Sequence, residues 1–79
     1  MTDETPFTEH HHAHVVVHPL VTQGAPRPFR RVDILGTHVG DAYSLGDVAE
    51  FCRRAGLYEL DLESRSMVEW QGGGPDVWE

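Results

Sequence analysis

The sequence predicts an α+β fold: a small, mostly antiparallel sheet of four or five short strands, with one helix packed on one face. Three observations predict it. Ser44 and Asp47 have the spacing of a capping box, and Ala55-Gly56-Leu57 reads as a helix stop, which brackets one helix. Directly after it, Tyr58, Leu60 and Leu62 alternate with Glu59, Asp61 and Glu63, the period of two expected of a half-buried strand. Near the N-terminus, Val15, Val16 and Val17 are β-branched and stiff at χ1, which favours extended backbone. The element order that results is β-β-β-α-β-β.

Residues 1–12 are polar, acidic and rich in histidine, without periodicity. A segment of this kind buries too little apolar area to offset its ordering entropy, so it reads as a disordered tail. Residues 13–71 read as the single folded domain. Its first strand starts at the valines and runs to about Leu20–Thr22, and Pro19, which has no amide donor, confines it to a sheet edge or a bulge. Two prolines punctuate the loop Gln23–Pro28.

Phe29–Leu35 reads as the second strand, with Val32 and Ile34 on one face and Asp33 opposite; Leu35 blurs the alternation. A tight connection at Gly36-Thr37-His38 leads to a third strand over Val39–Tyr43. Gly40 and Ala42 share one face there, and a glycine inside a strand marks a bulge or a close backbone approach.

The helix follows from Leu45 to about Ala55. Leu45, Val48, Ala49, Phe51, Cys52 and Ala55 form an apolar stripe, with Asp47 and Glu50 early and Arg53 and Arg54 late, as the helix dipole favours. Tyr58–Leu62 is the fourth strand. Met67–Trp70 is a last strand, antiparallel to it, and Trp70 packs inward with Val68. The run Gly72-Gly73-Gly74-Pro75 ends regular structure, leaving 72–79 as a flexible C-terminal tail. The expected core is Val15, Val17, Val32, Ile34, Val39, Leu45, Val48, Phe51, Cys52, Leu57, Leu60, Leu62 and Val68.

Seventy-nine residues make one small domain, near the size where a single core is marginal by itself, so a homodimer or a partner would add stability. The net charge is −7, from 13 acids against 6 arginines, with no lysine. That surface repels phosphate backbones and anionic lipid headgroups, which argues against nucleic-acid and membrane partners. It suits a cation: a metal ion or a basic protein surface. The lack of lysine has no structural explanation. One cysteine makes no internal disulfide, no apolar run reaches the roughly 18 residues of a membrane span, and Asp3, Glu4 and Glu9 stand where a signal peptide would be basic. The expected location is the cytoplasm.

No catalytic constellation stands at a recognisable spacing, so no enzyme is expected. Cys52 lies on the apolar stripe and reads as core, Ser44 is explained by its capping role, and the triple glycine lacks the lysine and hydroxyl residue of a phosphate loop. Two candidate sites remain. His10, His12, His14 and His18 would share one side of an extended chain and offer imidazole ligands for zinc or nickel. A solvated histidine tract also takes up metal weakly without any dedicated site. Protonating the six histidines would also remove most of the net charge near pH 6.5.

Glu59, Asp61 and Glu63 would lie along one strand face, either as its solvated side or as a surface for a basic partner. From Leu57 onward there are six acids and one arginine. Trp78 joins that candidate surface as an interface anchor, or folds back to cover the sheet. The expected function is a small non-enzymatic interaction or regulatory module that binds a basic protein through its acidic surface, an inhibitor or immunity-like role included. The alternative is metal binding by the histidine cluster, with no other cofactor.

Overall fold

The computed structural model describes residues 14–64 and 66–79. His10 and His12, and the expected N-terminal tail, lie outside that range. The valine run opens β1 (Val15–Val21), which pairs antiparallel with β2 (Phe29–Ile34), and β2 pairs antiparallel with β3 (Thr37–Ala42). Val15 and Val17 on β1 and Val32 and Ile34 on β2 turn to one face and are buried, as their alternation requires. Pro19 lies in an interior strand, yet at a bulge. The register shifts between Val17 and Leu20, where the ladder steps past a residue with no N–H.

The β2–β3 turn is tighter than the sequence suggests. Ile34 pairs with Thr37, and the two connecting residues, Leu35 and Gly36, have φ of 51° and 83°. These are the positive dihedrals of a type I′ hairpin turn, which matches the twist of the flanking strands. Leu35, the residue that blurs the alternation, is therefore a turn residue, and it is 71 % exposed. The β3 register shifts beside Val39, which points outward instead of joining the expected core, while Ala42 takes an inward place.

Helix α1 (Leu45–Arg54) starts at Ser44, whose side chain accepts from the Asp47 N–H, while Asp47 Oδ2 accepts from the Tyr43 N–H. It ends in a Schellman motif: Gly56 N–H donates to Arg53 O and Leu57 N–H to Cys52 O. Val48 and Cys52 are buried against the sheet, and the Phe51 ring sits over Gly40, where a β-carbon would come within 2.6 Å of it.

Two expectations about the second half are corrected. The described residues of 57–64 and 66–67 form successive turns and no strand. Leu57, Leu60 and Leu62 do pack on the core and Glu59, Asp61 and Glu63 do face outward, but Tyr58 is 75 % exposed. The alternation reports one-sided burial, and here the backbone is satisfied locally: Asp61 Oδ1 accepts from Glu63 N–H, and Asp61 O from Ser64 N–H. Also, β4 (Val68–Trp70) is parallel to β1, with Val15, Val16 and Val17 opposite Val68, Glu69 and Trp70. The sheet is thus a four-stranded mixed one of order β3-β2-β1-β4, and the chain order is β-β-β-α-β. No helix among the described residues is long and apolar enough to cross a membrane.

Candidate functional site

Arg30 follows Val32 and Ile34 on the inward face of β2, so the pleat carries a guanidinium into the core, where it is fully buried. A buried charge is costly unless its donors are met. All five N–H donors of Arg30 have acceptors, every one a backbone carbonyl. Nε donates to His18 O (2.9 Å), Nη1 to Gly74 O (2.8 Å) and Val77 O (3.1 Å), and Nη2 to Gln71 O and Gly73 O (both 2.8 Å). The indoles of Trp70 and Trp78 lie 5.2 and 5.5 Å from the guanidinium carbon and 6.4 Å from each other, edge to face. Both distances are within cation–π reach. Burial lowers the Arg30 pKa from its ordinary value.

This clamp decides where the C-terminal segment lies. The segment 72–79, expected as a tail, folds back over the inward face of the sheet beside Pro19. Gly72 and Gly73 adopt φ of 78° and 158°, and a β-carbon on Gly72 would come within 2.9 Å of Pro19. Trp78 takes the second of its two sequence readings. It is half-buried, packs on the core, and donates from Nε1 to Pro75 O at 2.7 Å.

With the segment in place, a groove of about 720 Å³ opens along β4, lined by Glu63, Val68, Glu69, Trp70 and Gly73–Pro75. Its two ionisable groups are both carboxylates. Glu69 is oriented by the Gln71 side-chain amide, which donates to Oε2 at 2.8 Å, and the Trp70 indole donates to Leu62 O at 2.8 Å, fixing the wall beside Glu63. Of the partner-binding residues expected from sequence, only Glu63 lines this groove. Glu59 lines a shallower depression with Tyr58 and Met67, and Asp61 is occupied in its turn. Sequence reasoning passed over Glu69 and Arg30. The signal for Arg30 was present, since it continues the inward series Ile34, Val32 by one further step of two.

The described histidines, His14, His18 and His38, do not converge. His14 is exposed, one residue before β1, whereas His18 Nε2 meets Asp33 Oδ2 at 2.8 Å on the sheet face away from the helix. Asp33 Oδ1 is buried without a hydrogen bond, with Arg31 Nε 4.0 Å away. His38 contacts Asp41 and Gly40 O instead. Among the described residues no group of three or more His, Cys, Asp and Glu side chains is placed to hold a metal ion. Cys52 is buried, and burial pushes its thiol pKa up, away from the thiolate a nucleophile requires.

Comparison with protein-family models, with curated proteins and with solved structures found no match to this chain.

Proposed function

We propose that this protein is a non-enzymatic interaction or regulatory module that engages a basic protein surface through the acidic side of its second half. The observation that carries this reading is the groove along β4. Glu63 and Glu69 are its two ionisable side chains, Trp70 gives it an apolar wall, and nothing cationic among the described residues lines it. Carboxylates beside an aromatic surface suit an arginine or lysine side chain, through charge-assisted hydrogen bonds and contact with the indole. Glu59 and Asp61, exposed nearby in sequence, extend the same negative field.

Calorimetric titration of the full chain with a hexa-arginine peptide tests this at low and high salt. Affinity should fall steeply with salt and should be weaker for the Glu63→Gln/Glu69→Gln variant than for Glu59→Gln. Binding that ignores both salt and the double substitution would overturn the reading. The alternative, zinc or nickel bound by His10, His12, His14 and His18, separates cleanly from it. Saturable binding at micromolar metal, lost on replacing those histidines, would favour the metal.

A further inference from the structure

A cation of the kind the groove suits stands on the surface of the chain itself. Among the described arginines, Arg30 is enclosed by carbonyls, Arg31 lies 4.0 Å from Asp33, and Arg53 and Arg54 both pair with Glu50. Arg27 makes no ion pair among the described residues. It is exposed, and its guanidinium carbon lies 4.6 Å from the centroid of the Tyr43 ring. Its loop, 22–28, joins β1 to β2, and Pro26 and Pro28 flank it, so the backbone has little freedom left to lose on docking. Phe29, Arg31 and Asp33 alternate onto the sheet face away from the helix, and Tyr43 meets Phe29 there, with 6.2 Å between ring centroids. Glu69 lies on that same face, because it stands opposite Val16, whose neighbours Val15 and Val17 turn inward. The two charges are nevertheless at opposite edges. Tyr43 follows β3, whereas Glu69 is on β4, at the other end of the order β3-β2-β1-β4 and level with Asp33 through Val16. Standard strand spacing and rise make that separation about 14 Å across the sheet and about 13 Å along it, or about 20 Å in all. An arginine side chain does not span this distance, so a contact between Arg27 and the groove joins two copies.

We infer that the basic partner is a second copy of this chain: the Arg27 loop of one copy enters the groove of the next and sets its guanidinium against Glu69 and Glu63. This rests on the function proposed above and names its partner. The loop and the groove are different surfaces, so the contact is heterologous. It repeats from copy to copy, giving a row or a closed ring of several copies instead of a two-fold dimer. The net charge of −7 makes copies repel at long range, whereas the Arg27 contact acts at ion-pair distance. Salt therefore works in two directions. At about 0.1 M, where the Debye length is about 10 Å, the long-range repulsion is screened and the close pair survives.

Sedimentation equilibrium of the full-length chain over a range of concentrations tests this at about 0.01, 0.1 and 1 M salt. The weight-average mass should climb past that of a dimer, most readily at the middle salt. Arg27→Glu and Glu69→Arg should each weaken self-association about tenfold or more, because each sets like charges against one another. Both side chains are exposed, so the urea midpoints of the two variants should match the parent. Mixed in equal amounts, the variants should associate again, since Arg27 of one meets the intact groove of the other. Glu59→Gln should leave association unchanged. Growth that stops at two copies, or a mixture as inert as its components, overturns head-to-tail docking. A chain that stays monomeric yet binds hexa-arginine overturns this inference and leaves the electrostatic function standing. A chain that does neither overturns both.

Discussion

Arg30 gives the Gln71 carbonyl the hydrogen bond that Pro19 cannot. In the parallel ladder the β1 donors recur every second residue, at Val15, then Val17, then position 19. Proline has no N–H there, and the Arg30 guanidinium reaches across from β2 to the Gln71 carbonyl at 2.8 Å. The same bulge leaves the His18 carbonyl turned toward Arg30 Nε. One side chain thus replaces the next rung of the sheet and fixes the chain beyond it.

Arg30→Lys should therefore behave almost as badly as Arg30→Met. A lysine offers three donors on a compact head and cannot reproduce a planar five-donor fork. Leaving buried carbonyls unpaired predicts a loss of about 2–4 kcal/mol in urea unfolding for either variant. Amide exchange should accelerate most over residues 72–78. A lysine variant of native stability would refute the clamp.

Leu35→Asn should stabilise the fold. Leucine at φ 51° occupies a conformation that asparagine tolerates much better, and Asn-Gly is the favoured pair in a type I′ turn. Leu35 is 71 % exposed, so little packing is lost. The expected gain is about 1 kcal/mol, read as a higher urea midpoint with unchanged slope.

Gly40→Ala should cost about 1–3 kcal/mol, because the new methyl falls 2.6 Å from Phe51 Cζ and either the ring or the helix must move. Combining it with Phe51→Leu should recover part of the loss, so that the two effects are strongly non-additive. Additive losses in the double-mutant cycle would show that the ring does not rest on Gly40.

Stability should decline above about pH 8.5, the ordinary range of a thiol, through Cys52. Burial raises the folded-state value, so below that pH both states hold the proton and the thiol adds no pH dependence. Above it the unfolded chain ionises first, and stability is lost progressively until pH reaches the raised folded value. Urea midpoints from pH 7 to 10 should fall less steeply for Cys52→Ala than for the parent.

Local signals made much of this fold legible. The helix and both its ends follow from Ser44, Asp47 and Gly56, and the inward faces of β1 and β2 follow from the spacing of Val15, Val17, Val32 and Ile34. What failed was long-range. Leu60 and Leu62 alternate with acids as a strand would, because one-sided burial produces that pattern whether or not a neighbour pairs with the backbone. The parallel partnership of β4 with β1 joins residues more than fifty positions apart, and no local spacing encodes it. The groove was the least legible feature. Its far wall, Gly73–Pro75, is a wall only because a buried cation on β2 holds it, and glycines in sequence suggest the opposite.

The acceptors on the C-terminal side of Arg30 come from 41 to 47 positions later in the chain. While the protein is being synthesised, the β1–β2–β3 meander can assemble with its guanidinium still solvated, but its interior cannot dehydrate until Gln71–Val77 emerge. Closure of this sheet thus waits on residues made well after it, and a nascent chain stalled before that stretch carries a water-seeking cation at the centre of the sheet.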